Sequence, residues 1–473
     1  MTRLLRATLS AVAIAVALIA GGCTVGPNYT RPALTTPERF RFAEQQAESF
    51  ADLPWWEVTR DPQLQALVRE AIANNLDLRA AAARVEQARA RAGIARSFLF
   101  PEVGAGVGYT AQQTSRLGDP PNESGDRTFQ NWSLGFNLAW EIDLFGRIRR
   151  ESESAVAIFL ATEQARRGVL VTLVADVASN YLRLRELDLQ LQISRNTVEI
   201  NDETVRFYAT RLDGGVSNRL ELDQALANRS RTATSIPRIE LQIAQTENLL
   251  SLLLGRPPGR VERAGPLSEA DATVAVPAGL PAALLERRPD VVEAEQRLVS
   301  ANADIGAAKA LFFPTISLTG FLGGVSRELA DLVKSDAFAW DVSPGLFQPI
   351  FQAGRIRRNY EAAQARFEEA LALYRKAALN GYREVADALV AIQKLTEERV
   401  ELEKGVVALR EAASLARSRY DTGLSDYLEI LIADQQLFDQ EVLLAKARGA
   451  EARAIVDLYR ALGGGWQTEA AAP

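Results

Sequence analysis

The sequence predicts a mainly α-helical, internally duplicated protein with long coiled-coil rods and four membrane-crossing β-strands per chain, too few to close a barrel unless several chains share one sheet. Three observations predict it. A plan of motifs recurs with matched spacing, proline-free helical stretches exceed the diameter of a compact domain, and apolar residues alternate with period two from Trp132 to Leu144.

Composition narrows the function classes. The 473 residues hold 54 Lys plus Arg against 60 Asp plus Glu, a net charge of -6, so there is no basic excess to neutralise phosphates and nucleic acid is not an expected partner. With His 0, Cys 1 and Met 1, the chain lacks Ser-His-Asp and Cys-His nucleophiles, histidine-ligated metals and internal disulfides. Carboxylate pairs such as Glu151 with Glu153 are ordinary on charged helix faces. No catalytic residue, metal or cofactor is expected. After residue 22 no uncharged apolar run approaches the ~18 to 20 residues of a spanning helix, so any membrane crossing falls to strands.

The first element is an address. Arg3 and Arg6 precede the apolar stretch Ala11 to Ala20, followed by Gly21, Gly22 and Cys23. This is a charged region, a short hydrophobic region and small residues before a cut, so residues 1–22 read as a signal peptide. The pattern resembles a bacterial lipoprotein signal, with Cys23 as the lipidated first residue, although Ala20 stands where such signals usually carry Leu. An unlipidated signal is the alternative. Beyond it the sequence divides into an extended N-terminal segment (23–62), a first repeat (63–255), a Pro- and Gly-rich linker (256–281), a second repeat (282–466) and a C-terminal tail (467–473).

The two repeats follow one plan: a helix, two strands and a long helical hairpin. Asn75-Leu76-Asp77 opens an Ala-rich helix ending at Phe98-Leu99-Phe100-Pro101, and Arg288-Pro289-Asp290 opens its counterpart ending at Leu311-Phe312-Phe313-Pro314. Gly146-Arg147-Ile148-Arg149-Arg150 recurs unchanged from Gly354 to Arg358, and the span from Gly146 to Gly215 equals that from Gly354 to Gly423. The length difference between the copies therefore falls between Pro101 and Gly146. Two continuous rods of equal reach are implied.

Trp132, Leu134, Phe136, Leu138, Trp140, Ile142 and Leu144 alternate with Ser133, Gly135, Asn137, Ala139, Glu141 and Asp143. At about 3.3 Å per residue and a 45° tilt this run crosses roughly 30 Å of hydrocarbon. Val103, Ala105, Val107 and Tyr109, alternating with glycines, supply its partner. Ile316 and Leu318, then Phe338, Trp340, Val342 and Leu346, form the second pair, and polar loops such as Gly118-Asp119-Pro120-Pro121-Asn122 join the strands. Hairpins on a soluble core are the alternative. In lipid, strands must close without edges, so two copies would give eight strands and three would give twelve.

No proline interrupts Arg147 to Arg211, where Leu170, Val177, Leu184, Leu191, Val198, Val205 and Leu212 recur every seven residues. Such a rod extends about 100 Å. Leu395, Leu402 and Leu409 repeat the spacing in the second copy, less regularly because of Arg399 and Gly405. The rods end in matching turns, Arg211 to Asn218 and Arg419 to Asp426, in which glycine stops one helix and Ser217, Asn218, Ser425 or Asp426 can cap the next.

From Cys23 to Trp466 the chain resembles the TolC-like outer membrane factor family, in its lipoprotein (NodT-type) branch. The resemblance is carried by Cys23-Thr24-Val25-Gly26-Pro27-Asn28-Tyr29 with Arg31-Pro32, by Trp56 with Asp61-Pro62 and Leu64, and by Asn74-Asn75. It continues through Arg287-Arg288-Pro289-Asp290, Phe312-Phe313-Pro314, Gly354-Arg355 and Ala461-Leu462-Gly463-Gly464-Gly465-Trp466. It implies a homotrimer with a twelve-stranded barrel among outer-membrane lipid and a helical barrel crossing the periplasm of a Gram-negative bacterium. It also implies docking to a periplasmic adaptor protein and an inner membrane transporter. By the same match, Gly214, Gly215, Val216 and Ser217 with Gly423, Leu424 and Ser425 would meet the adaptor. Helices beginning near Leu424 to Leu428 would close a periplasmic gate, with Tyr420 at the family's gate tyrosine and Glu429 at a gate carboxylate. A second family aspartate is replaced by Ile432, so the constriction reads as an apolar plug of Leu428 and Ile432 with a ring of Glu429. Glu429 as an ordinary surface carboxylate is the alternative.

The expected function is a passive exit duct that expels small molecules or drugs. The alternatives are a duct for protein or peptide export with an ATP-driven transporter, and a structural envelope lipoprotein.

Overall fold

The computed structural model describes residues 24–34, 40, 61–115, 128–267 and 286–464. Cys23, the loop at Gly118 to Asn122, most of the linker and the C-terminal tail lie outside the described residues. In chain order the elements are α1 (Pro62–Asn74), α2 (Leu76–Ser97), β1 (Glu102–Gln113), β2 (Thr128–Ile142), α3 (Arg147–Asp213), α4 (Arg219–Ala233), α5 (Ser235–Leu253), α6 (Pro289–Ala310), β3 (Thr315–Ser326), β4 (Phe338–Phe347), α7 (Arg355–Asp421) and α8 (Tyr427–Ala461). α3 and α7 each contain 67 residues, so the equal spans read in the sequence are equal helices. No helix among the described residues is long and apolar enough to cross a membrane.

The chain divides into two compact units, the first drawn from Met1–Ala33, Arg84–Thr162 and Glu293–Tyr374. Its core is one antiparallel sheet in the order β1-β2-β3-β4. The register aligns Ala105, Phe136, Leu322 and Trp340 in one row across all four strands, with Val103, Leu138, Gly320 and Val342 in another. These side chains share one face, and Val103, Phe136, Leu322, Trp340, Val342 and Leu346 are exposed in the single chain. Gly104, Gly106, Ser133, Asn137, Thr319, Asp341 and Ser343 lie on the other face. Aromatic side chains stand near both ends of β2 on the apolar face: Trp132 packs on Tyr109 at 4.6 Å, and Trp140 Nε1 donates to Leu99 O at 3.0 Å. An apolar band bounded by such rings suits a lipid-facing wall. β3 carries the alternation past Leu318, but glycines at 320 and 324 interrupt its hydrophobic pattern.

The second hairpin repeats the register of the first. Glu102 pairs with Ala139 as Thr315 pairs with Phe347, and Ala111 pairs with Gln130 as Gly324 pairs with Phe338. The length difference between the copies therefore sits in the hairpin loops. Gly135 and Gly323 face each other where β2 and β3 approach closely; a Cβ on Gly323 would lie 2.5 Å from Gly135 Cα. β1 and β4 each pair with one strand in the sheet, so backbone groups on their outer edges need partners from elsewhere.

A strap of residues 25–31 binds beside the start of α3 and along α6. Val25 N donates to Phe145 O at 3.1 Å, Arg150 to Asn28 at 2.7 Å, Asn302 to Pro27 O at 3.0 Å, and Arg31 pairs with Glu295 at 3.0 Å. Gly26 has φ 106°, and a Cβ there would fall 2.5 Å from Gly306 Cα. Gly26→Val is therefore expected to destabilise the protein by about 1–3 kcal/mol through overpacking, read as a lowered apparent melting temperature in detergent. Asp143 explains how β2 turns into α3. Its carboxylate accepts from the Ile148 and Arg149 amides at 3.2 and 2.9 Å, satisfying donors at the start of the helix.

The second unit is drawn from Leu34–Ala83, Glu163–Val292 and Arg375–Pro473. Leu64, Val68, Val177, Tyr181, Leu184, Leu187 and Leu250 form its main core, in which Leu170 and Leu191 of the seven-residue ladder are partly buried. In α7 Val385, Val406 and Ala413 are buried at seven-residue spacing, with Ile392 and Arg399 partly buried between them. Leu395, Leu402 and Leu409, the leucine spacing read from the sequence, are partly buried alongside them. Arg399 is tolerated there because Glu451 and Glu403 pair with it at 2.7 and 3.0 Å.

Both repeats end on one device. Asn75 Nδ2 donates to Leu253 O at 2.9 Å at the end of α5, and Arg288 Nη1 donates to Ala461 O at the end of α8. Gly255 and Gly463 follow these helices with φ 69° and 90°. The positive φ lets the chain stop the helix and turn away. In the first repeat the returning limb is interrupted at Thr234, between α4 and α5. Thr234 Oγ1 and Ser235 Oγ bond back to Arg231 O and Thr232 O, and Pro237 supplies no amide donor.

Candidate functional site

The two interhelical turns have one construction. Gly215 N donates to Leu212 O at 3.0 Å and Val216 N to Arg211 O at 2.9 Å; Gly423 N donates to Tyr420 O at 2.9 Å and Leu424 N to Arg419 O at 2.8 Å. Gly215 and Gly423 have φ 70° and 74°. The pattern closes the last helical turn with a left-handed residue, as glycine permits. Asn218 caps α4 by accepting from Glu221 N at 3.0 Å, and Asp426 caps α8 by accepting from Leu428 N at 3.1 Å. Thus the caps are Asn218 and Asp426. Ser217 donates to Glu221, whereas the Ser425 hydroxyl is enclosed without a hydrogen-bond partner. Val216 and Leu424 project into solvent.

Behind the turns, α3, α4, α7 and α8 pack on Tyr208 with Ala225, Ala413, Ala416, Tyr427, Ile430 and Ala433. The small alanines let the backbones approach a central ring. Tyr208 stands 4.5 Å from Tyr427 and 6.1 Å from Tyr420. Arg211 lies over the Tyr420 ring at 5.6 Å and over Phe207 at 5.4 Å. Burial raises the Tyr208 phenol well above the usual range, and burial followed by the Asp434 charge pushes Tyr427 up to about 12. Both phenols are neutral at physiological pH.

On α8 the buried face holds Tyr427, Ile430 and Ala433, while Leu428 and Ile432 are 49% and 46% exposed on another face. Glu429 pairs with Arg419 at 3.4 Å. Arg417 donates to Asp434 at 2.9 Å beside a groove of about 1070 Å³ between α3, α7 and α8. Burial raises the Asp434 carboxyl above its usual range, opposed by Arg417. A folded-state value above the unfolded one means that Asp434 favours the fold most below its unfolded pKa, and that this contribution declines as pH rises through the folded value. Asp434→Asn is expected to flatten that decline in thermal melts measured across the acidic range.

Comparison with known proteins decides the family. The model of the outer membrane efflux protein family matches residues 67–256 and 280–464. The chain belongs to the outer membrane efflux protein family. The cation efflux system protein CusC of Escherichia coli O6:H1 is 35% identical over 457 residues, covering 96% of this chain and 98% of that protein. The solvent efflux pump outer membrane protein SrpC of Pseudomonas putida is 36% identical over 460 residues, covering 95% and 97%. The solved outer-membrane channel OprN superposes with a TM-score of 0.88 at 34% identity, covering 94% of this chain and 100% of OprN.

In this outer membrane efflux protein, the structure brings Tyr420, Leu428, Glu429 and Ile432 into one region with both turns, Gly214 to Ser217 and Gly423 to Ser425. Tyr420 is held by Tyr208 and Arg211 within the chain, Glu429 is paired, and Leu428 and Ile432 are exposed. Cys23 lies outside the described residues. Sequence reasoning missed Tyr208, Tyr427, Arg211 and the Arg417–Asp434 pair. Their available signal was the clustering of three tyrosines within a few helical turns of the two glycine breaks.

Proposed function

We propose that this efflux channel is the passive exit duct of a tripartite pump, a homotrimer whose chains each lend four strands to one twelve-stranded barrel. The observation that carries this reading is the open four-stranded sheet with an apolar outer face and two edges available for pairing. The duct performs no chemistry; the inner membrane transporter supplies the work, and the trimer supplies a wet path that excludes lipid. Cys23 carries the lipid anchor. A periplasmic adaptor docks at Gly214 to Ser217 and Gly423 to Ser425, where Val216 and Leu424 offer apolar contact. Leu428 and Ile432 form an apolar constriction.

The expelled cargo is small organic solutes. A solvent pump component among the relatives supports this, as does a chain with His 0, Met 1 and Cys 1, which offers few soft-metal ligands. Purified trimers in planar bilayers are expected to carry steady ionic current. Trimers that insert yet conduct nothing would leave the structural-lipoprotein reading in place.

A further inference from the structure

We propose that the β3–β4 connection, residues 327–337, folds back over the lipid-facing side of the sheet and docks into the acyl chains of the outer leaflet, with Leu329 and Val333 as its contacts. The inference rests on the lipid-facing reading of the apolar face. β1 follows α2, β2 leads into α3, β3 follows α6 and β4 leads into α7, so the junctions with the periplasmic helices all lie at one end of the sheet. The β3–β4 connection is therefore at the other end, on the cell-surface side.

Gly324 shows which way the connection folds. The register places it in a row with Val107, Leu134 and Phe338, whose side chains are exposed on the apolar face. A Cβ on Gly324 would point out from that face, and it would lie 2.2 Å from Leu332 O. The backbone of the connection thus occupies the outward position that Gly324 leaves empty. At Gly320, the other outward glycine of β3, the gap is bordered instead by Leu138, whose Cβ would lie 3.8 Å away.

The connection also has the chemistry of an apolar boundary. Leu329–Asp331 and Ser335–Ala337 are single helical turns, and the amides of Asp331, Lys334 and Ala337 donate to the carbonyls of Glu328, Asp331 and Lys334 at 3.0 to 3.1 Å. These backbone donors are satisfied within the loop, as contact with hydrocarbon requires. Leu332 is buried, whereas Val333 and Leu329 are 84% and 58% exposed. Phe338, paired with Gly324, and Trp340 extend this apolar surface along β4, and the Trp132 and Tyr109 rings stand at the same end of the sheet. A contiguous apolar patch beside an aromatic rim fits the membrane interface. Arg327 and Lys334 are outnumbered by Glu328, Asp331 and Asp336, and Lys334 pairs with Asp331. Contact with acyl chains, not attraction to phosphate, therefore holds the loop.

Fluorescence quenching in the full-length protein, reconstituted in phosphatidylcholine vesicles with iodide available on both sides, tests the docking. V333C labelled with a nitrobenzoxadiazole probe is expected to lose emission to lipids that carry a nitroxide on the acyl chain, as V342C on the apolar face does, and to resist iodide. S343C, on the lumen side, is expected to behave in the opposite way. The emission of the parent protein, labelled identically, is subtracted to remove any contribution from Cys23. Quenching of V333C by iodide, while V342C responds to the lipid quencher, would overturn the docking and leave the lipid-facing wall standing. Protection of V333C from both quenchers would place the loop against another copy and would overturn it as well. A response of V342C to iodide would instead remove the lipid-facing reading itself.

Discussion

Alanine at Leu428 and Ile432 is expected to raise the single-trimer conductance severalfold and to admit bulky antibiotics into cells carrying the variant. The expectation follows from the two faces of α8. Tyr427, Ile430 and Ala433 bury one face against Tyr208, and Leu428 and Ile432, one helical turn apart, present bulky apolar side chains on another. Three copies converging at a narrow entrance would surround it with branched side chains, and an apolar constriction of that kind closes by shedding water. Truncation widens and wets it. Glu429→Gln is a useful contrast, because Glu429 is engaged by Arg419 in the same chain and its loss leaves the apolar ring intact. Unchanged conductance in L428A and I432A would take both residues out of the gate.

Glu186→Ala is expected to cost about 3 kcal/mol of stability, near the lower end for breaking a buried ion pair because its arginine partners are partly exposed. Glu186 is 0% exposed on α3 and accepts from Arg183, from Gln190 at 2.7 Å, and from Arg453 on α8. Removing the carboxylate leaves these donors without their shared acceptor and opens a void. Gly449 makes room for it, since a Cβ there would run into the Glu186 side chain. The variant should melt markedly earlier in detergent. Replacing Glu186 by Leu together with Arg453 by Met should recover much of the loss, because an apolar pair leaves fewer buried polar groups unsatisfied. A Glu186→Ala protein that melts with the parent would show that this cluster contributes little to holding α3 against α8.

Features with a local cause were the ones visible before the structure. β2 was legible because its alternation is unbroken, and both interhelical turns because Gly215 and Gly423 supply the left-handed conformation that a helix stop requires. β3 was only half legible, since glycines at 320 and 324 stand where its outward apolar residues would be. In α7 the leucine spacing was legible, whereas the second line through Val385, Val406 and Ala413 was not, because its Arg399 is accommodated only by pairing with Glu451 from α8. The tyrosine cluster behind the turns was hidden for the same reason: Tyr208, Tyr420 and Tyr427 meet only when separate helices pack. Glycines such as Gly26 and Gly449, set by contacts distant in sequence, carried no local mark.

Native mass spectrometry of the detergent-solubilised protein tests the shared wall most directly. Three chains per particle are predicted, remaining together when detergent is exchanged at dilute concentration. A particle containing one chain, folded and stable without detergent, would contradict the account.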